Sequence, residues 1–199
     1  MNKNNIGRVF IIVGVILILV SIIIITYNSY LELNAGIKSS NIIGTMKEKI
    51  DNSLEIVKLN NKENKEMSVI NIDGYDYIGT IMIPTLNLEL PVMSDYDNEK
   101  LNIAPCRYYG SVYTDDLIIC AHSYKTHFRY LSNLNQGDNI IFTDVNGENY
   151  IYEVLEMEVL NPNEVSEMIN NEFDLTLYTC TNDGLNRVTV RCNRLMDTI

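Results

Sequence analysis

No two cysteines are spaced as C-x-x-C, histidine occurs only twice, and no glycine pattern of the dinucleotide or phosphate-loop type is present. The thiols Cys106, Cys120, Cys180 and Cys192 and the imidazoles His122 and His127 do not repeat at a zinc-finger spacing. A zinc site would need Cys120 and His122 plus a distant thiol, a poor set. No metal and no cofactor are expected. Positive charge is also scarce: from residue 69 onward twenty Asp and Glu face seven Lys and Arg, a net charge of −13. Such a surface repels phosphate backbones, so nucleic acid is not expected as a partner. The strand–helix–strand alternation of a parallel α/β fold is missing, and so is any internal repeat.

What is present first is a long apolar run. Residues 9–25 read VFIIVGVILILVSIIII without a charge, and 6–27 reach about the 20 residues that a helix needs to cross a bilayer. Lys3 and Arg8 precede the run and Glu32 is the first charge after it, which predicts a cytoplasmic N-terminus and an extracellular C-terminal part. A cleaved signal peptide shares the charged start, but its apolar stretch is usually shorter, and no good small-x-small cleavage site follows. We therefore expect an uncleaved anchor in 1–27, in contact with lipid through 6–27. Residues 28–68 carry Lys and Glu runs and only a thin apolar stripe at Met46, Ile50, Leu54 and Val57, which predicts a polar extracytoplasmic stalk.

Residues 69–199 are expected to form the globular domain, large enough to bury a core without disulfides. Strand-like runs dominate at 77–84, 86–92, 116–122, 138–144, 148–160, 175–180 and 186–195, separated by Asn, Asp, Gly and Pro. Seven or eight short strands predict an all-β domain, a closed barrel or a sandwich. Short helices or turns are expected at 125–134 and 163–171, the second entered through Asn161-Pro162 with Asn161 as a cap.

The segment TLYTCTNDGLNR, 176–187, holds the chemistry. Strand period puts Cys180 on one face with Thr176 and Tyr178, opposite Leu175, Leu177 and Thr179. If 175–180 and 187–195 form a hairpin across loop 181–186, Arg187 stands directly opposite Cys180 and can donate to an oxyanion beside the sulfur. Arg191, on the same face, is the rival for that role, or else a solvated charge like Arg194. A nucleophilic thiol also wants a base. His122 ends the strand DLIICAH, whereas His127 lies in a polar stretch that predicts an exposed position. A small buried residue remains the plainer reading of Cys180. Cys192 is expected as a buried free thiol, and a Cys106–Cys120 disulfide is an open alternative.

These residues resemble the sortase family, the membrane-bound cysteine transpeptidases of Gram-positive bacteria, over about 77–195. TLYTC matches the family's TLxTC at Thr176, Leu177, Thr179 and Cys180. RVTVRCNRL resembles the strand opened by the catalytic arginine, LIICAHSYKTHFRYLSNL resembles the catalytic-histidine segment, and YIGTIMIPTLNLELPV resembles the first barrel strands. Ala121 stands where the family usually has glycine, and Cys192 where glycine or alanine is common. The resemblance implies a closed sortase-like β-barrel with Cys180 as nucleophile, His122 as acid–base and Arg187 as oxyanion and peptide clamp. It implies Ala121, Thr179 and Tyr178 as substrate-pocket candidates. It also implies secreted proteins bearing an LPxTG-like sorting signal as donors, and an amine of a cell-wall precursor or pilin as acceptor. The readings from other classes are an extracytoplasmic cysteine peptidase of papain type, in which the thiol would start a helix, and a non-catalytic anchored binding domain.

Overall fold

The computed structural model describes residues 3–53, 66–169 and 172–195. Helix α1 (Lys3–Ser53) leads into nine strands: β1 (Ile70–Ile72), β2 (Tyr75–Ile83), β3 (Leu88–Met93), β4 (Cys106–Tyr109), β5 (Leu117–Cys120), β6 (Asn139–Asp144), β7 (Asn149–Leu160), β8 (Leu175–Cys180) and β9 (Arg187–Arg194). A short helix, α2 (Val165–Ile169), lies between β7 and β8.

Eight of these strands close into a barrel. The hydrogen-bonded order runs β2-β3-β4-β5-β8-β9-β7-β6, and β6 returns to β2, while β1 is a short flap on the N-terminal end of β2. Among the described residues, closure leaves no long edge strand. At the seam, β2 and β6 approach so closely at Gly79 that an added Cβ would stand 2.1 Å from the Thr143 carbonyl oxygen, so only glycine fits. The expected strands are all found. Two were not anticipated: β1, three residues long, and β4, whose CRYY is enclosed by Pro105 and Gly110.

Alternation of side chains divides the barrel into an inside and an outside. Inside, Ile78, Ile81, Val92, Leu117, Ile119, Phe142, Leu175, Leu177 and Val190 are among the residues of one continuous core. Phe128 and Leu131, from the loop after β5, plug into it. Cys192 is part of this core, and its burial pushes the thiol far above its ordinary pKa.

The outside carries two further apolar clusters, and each has its own cover. α1 covers the first. The helix does not end with the apolar run but continues unbroken to Ser53, and beyond residue 30 a stripe at Ala35, Ser39, Ile42, Met46 and Ile50 is buried against the barrel. The segment expected as a polar stalk is thus, up to residue 53, a helix packed on the sheet; Leu54 and Val57 lie outside the described residues. Cys106 and Cys120 lie beneath it, facing each other in the β4–β5 register. Both are free, so the disulfide alternative is not realised, and burial pushes each thiol up to about 12.

The second cluster joins Ile118, Leu160 and Met168 under α2. Asn161 and Glu164 brace the entry to α2 reciprocally. The Asn161 N–H donates to Glu164 Oε2 at 2.7 Å and the Glu164 N–H returns to the Asn161 carbonyl at 3.0 Å, while Asn161 Oδ1 accepts the Asn163 N–H at 3.1 Å. Residues 125–134, expected as a helix or turn, form turns ending in a short 3₁₀ segment at Leu131–Asn133.

Candidate active site

The ends of three neighbouring strands, β5, β8 and β9, meet at one rim of the barrel. β5 and β8 run parallel with Cys120 opposite Tyr178, and β8 and β9 run antiparallel with Cys180 opposite Arg187. Leu175 and Leu177 belong to the inner core, so Tyr178 and Cys180 point outward, as the strand period predicts. Arg187, Thr189 and Arg191 share that outer face through their register with Cys180, Tyr178 and Thr176. Two residues past Cys120, His122 falls on the same side. Thiol, imidazole and guanidinium therefore project from three adjacent strand ends onto one outer surface.

His122 and Cys180 line a single cavity of about 550 Å³. Burial holds the His122 pKa below its ordinary value, which favours the neutral imidazole, the form that accepts a proton. Arg187 does not line this cavity. It stands on the other side of Cys180, half-buried, with Nη1 donating to the Asn186 carbonyl at 3.1 Å. Between the two strands that carry thiol and imidazole, the Thr179 hydroxyl donates to the Ala121 carbonyl at 2.8 Å, and the Ala121 N–H donates to Tyr178 O at 3.2 Å. Ala121 and Thr179, expected in the substrate pocket, are buried on the barrel side and clasp β5 to β8 directly beneath the thiol. Tyr178 is outward and half-buried, edge-on to Tyr108, which is itself edge-on to Tyr96.

The loop between Cys180 and Arg187 is held by its own polar groups. Thr181 N–H donates to Asn186 O at 2.9 Å, Asn186 N–H returns to Thr181 Oγ1 at 3.0 Å, and Gly184 takes the left-handed conformation that closes the turn. Six residues thus form a self-bonded loop that fixes the Cys180–Arg187 register.

Two sequence expectations are corrected here. His127 is not exposed: it is 1 % accessible, covered by α1. Its Nε2 lies 3.3 Å from Ser39 Oγ, whose own proton goes to the Ile103 carbonyl at 2.8 Å, so the ring nitrogen is the donor. Burial drives the His127 pKa down to about 4. Tyr124 lies between the two imidazoles, 4.9 Å from His122 and 5.5 Å from His127 by ring centroid. Arg191, the rival to Arg187, is not solvated either. It is 2 % accessible, bound to Glu158 at 2.7 Å, Thr176 Oγ1 at 3.0 Å and the Glu167 carbonyl at 2.9 Å. Arg194 pairs with Asp115 at 2.9 Å and lies over the Tyr150 ring. Arg191 and Arg194 are both occupied in holding the fold, and Arg187 is the arginine that stands opposite Cys180 in the β8–β9 ladder.

Sequence reasoning missed the far wall of the cavity. Ile25, Asn28, Ser29, Leu31 and Glu32 of α1 line it together with His122 and Cys180. One Glu32 carboxylate oxygen accepts the Lys125 N–H, and the Glu32 carbonyl accepts the Thr126 hydroxyl at 3.2 Å. At Gly36 the helix comes so close that an added Cβ would stand 2.7 Å from Thr126 Cγ2.

A closed barrel with Cys, His and Arg at the ends of three adjacent strands defines a narrow class of protein. The Sortase domain profile matches residues 81–195, more than half of the chain, and the chain belongs to the sortase family. Sortase D of Bacillus subtilis (strain 168) is 27 % identical over 107 residues, covering 51 % of this chain and 53 % of that protein. The chain thus spans about half the length of the curated relative it matches. Among solved structures, sortaseC1 from Streptococcus suis superposes with TM-score 0.54 at 25 % identity, covering 60 % of this chain and 73 % of that one. Sortase A from Corynebacterium diphtheriae shares the fold, with TM-score 0.56 at 22 % identity, covering 83 % of this chain and 97 % of that one. Helix α1 is long and apolar enough to cross a membrane, and none of its apolar segment is buried against the barrel.

Proposed function

We propose that this protein is a membrane-anchored cysteine transpeptidase that cleaves an LPxTG-like sorting signal and joins the acyl fragment to an amine of a cell-wall precursor or pilin. The observation that carries the reading is the shared cavity of His122 and Cys180, with Arg187 paired to Cys180 across the β8–β9 ladder. In the first half-reaction the Cys180 sulfur attacks the carbonyl carbon of the signal's threonine. As the sulfur attacks, the neutral His122 takes the thiol proton; the C–N bond then breaks, His122 passes that proton to the leaving amine, and a thioester remains. In the second, an amine attacks that thioester, the C–S bond breaks, and the amine proton passes through His122 to the sulfur. Arg187 donates to the carbonyl oxygen while it carries negative charge. A neutral His122 suits the proton-accepting role.

The anchor reading places α1 across the bilayer, with Lys3 and Arg8 on the cytoplasmic side and the barrel outside. Protease added to intact, wall-stripped cells should therefore degrade the barrel; a barrel protected by the membrane contradicts this orientation.

The chemistry is tested with the full chain in detergent, a fluorescent LPxTG-like peptide library and an added amine. A ligated product that rises with amine concentration, together with a Cys180 acyl adduct by mass spectrometry, is the expected outcome. Hydrolysed peptide that no amine diverts favours the peptidase reading. Absence of product and adduct alike favours a binding domain. Cys180→Ala should abolish adduct and product together, whereas Cys192→Ala, in the core, should cost about 1 kcal/mol of stability and leave the chemical step within about tenfold.

A further inference from the structure

α1 is both the apolar helix and a wall of the candidate active site, and this joint role points to a subsite. The cavity that His122 and Cys180 share is walled by α1, by the segment after β5 and by the first residues of the β8–β9 loop, whereas Arg187, at the start of β9, does not line it. A group that exchanges protons with His122 while bonding to the carbon on the Cys180 sulfur must reach into that cavity. In the second half-reaction this group is the incoming amine. Aliphatic amines are ammonium ions near neutral pH, so an acceptor that arrives in its predominant form enters as a cation and loses a proton before it attacks.

The wall opposite His122 supplies the complementary charge. Glu32 projects from α1 into the cavity, and one of its carboxylate oxygens is held by the Lys125 N–H, three residues past His122. A carboxylate has acceptor capacity to spare after one such bond. Asp183, from the loop after Cys180, adds a second carboxylate, itself engaged with the Thr181 hydroxyl and the Leu185 N–H. Lys125 and Arg129 also line the cavity, Arg129 turning its Nε back to the Ser123 carbonyl at 3.0 Å. The cavity is therefore not anionic as a whole. Any attraction for a cation is local to the α1 wall.

Resting on the transpeptidase reading, we infer that the α1 turn at residues 28–32 is the acceptor wall of the site, with Glu32 receiving the incoming primary ammonium beside His122. The ammonium gives one proton to the neutral imidazole, and the free amine forms the C–N bond as the C–S bond breaks. The imidazolium protonates the departing sulfur, takes the second amine proton in its place and loses it to solvent, which restores the thiol and the neutral His122. Ile25 of the apolar run lines the same cavity, only seven residues or about 10 Å of helix from Glu32. The acceptor wall thus stands immediately above the apolar segment.

The test uses the full chain in detergent and measures the ratio of ligation to hydrolysis with two nucleophiles at about pH 7.5. One is an aliphatic primary amine, an ammonium at that pH; the other is hydroxylamine, which is neutral there. Glu32→Gln keeps an oxygen for the Lys125 N–H and removes the charge. The ratio for the aliphatic amine should fall about tenfold, while the ratio for hydroxylamine stays within about twofold. Asn28→Lys, one turn earlier on the same wall and within i,i+4 reach of Glu32, sets a positive charge against the carboxylate and should discriminate between the nucleophiles in the same direction. Protection of the Lys125 amide from hydrogen exchange checks that α1 remains docked. Equal losses with both nucleophiles would show that Glu32 acts only by positioning the loop after His122, and unchanged ratios would remove the subsite; either overturns the inference alone. Failure of the unaltered chain to form a Cys180 adduct overturns the transpeptidase reading and the subsite with it.

Discussion

Arg187 and Arg191 share one face of β9 four residues apart, yet their truncation should have opposite consequences. Arg191→Ala removes a guanidinium that is 2 % accessible and that joins β9 to Glu158 on β7, Thr176 on β8 and the carbonyls of Glu167 and Met168 in α2. Breaking a buried charged pair by deleting one partner typically costs about 3–5 kcal/mol. The remaining partner, Glu158, has a side chain 36 % accessible and can rehydrate, which places the loss at the lower end, about 3 kcal/mol. For a domain of this size that corresponds to a fall in Tm of roughly 10 °C. Arg187→Ala, by contrast, removes a half-buried side chain bonded to its neighbour's carbonyl, and stability should change by about 0.5 kcal/mol or less. The chemical step should nevertheless slow by about 10²–10³ if Arg187 is the oxyanion donor. Thermal unfolding followed by near-UV circular dichroism, alongside single-turnover ligation below both transitions, separates the two effects. An Arg191→Ala protein of unaltered Tm that has lost its chemistry, beside an active Arg187→Ala protein, would refute the assignment of both arginines.

Three further outcomes are expected. The folded-state pKa of His127, about 4 against an ordinary 6.5, means that its neutral form is favoured by folding; its contribution of about 3 kcal/mol is complete above pH 6.5 and is lost as pH falls from 6.5 towards 4. Tm measured over that window should drop more steeply for the unaltered chain than for His127→Gln, and parallel curves would contradict the burial argument. His122 is also held below its ordinary pKa, so the acidic limb of kcat/KM should lie below pH 6.5; a limb above that value would show that another group supplies the base. Gly36→Val would press a branched side chain onto Thr126, and exchange protection of the Lys125 amide should fall at least several-fold while the β5 and β8 amides keep theirs; retained protection at Lys125 would show that α1 can shift to accommodate the change.

The inside of the barrel was legible because strand alternation encodes it directly. Leu175, Leu177, Val188 and Val190 repeat at period two, and a six-residue loop leaves little choice of register, so the Cys180–Arg187 pairing could be anticipated. Strand β4 was not legible, because four residues between Pro105 and Gly110 offer one turn of alternation inside turn chemistry. The outside was harder to read, for a physical reason. α1 docks through the small residues Ala35, Gly36 and Ser39, whose value is the close approach they permit, as well as through Ile42, Met46 and Ile50, and with half of its contact face small or polar the stripe was too thin to predict a docked helix. The same cover buries His127, whose polar neighbours Lys125, Thr126 and Arg129 gave it the pattern of a surface residue, and α2 with Glu158 does likewise for Arg191. Both misplacements therefore have one origin. Residues on the outer face of a closed barrel carry the mixed polar pattern of a surface, whether water or another element lies over them. The candidate site is on that outer face, so its thiol, imidazole and guanidinium could be read from strand ends, while the wall that Glu32 builds depends on a helix docked from more than 90 residues away in sequence.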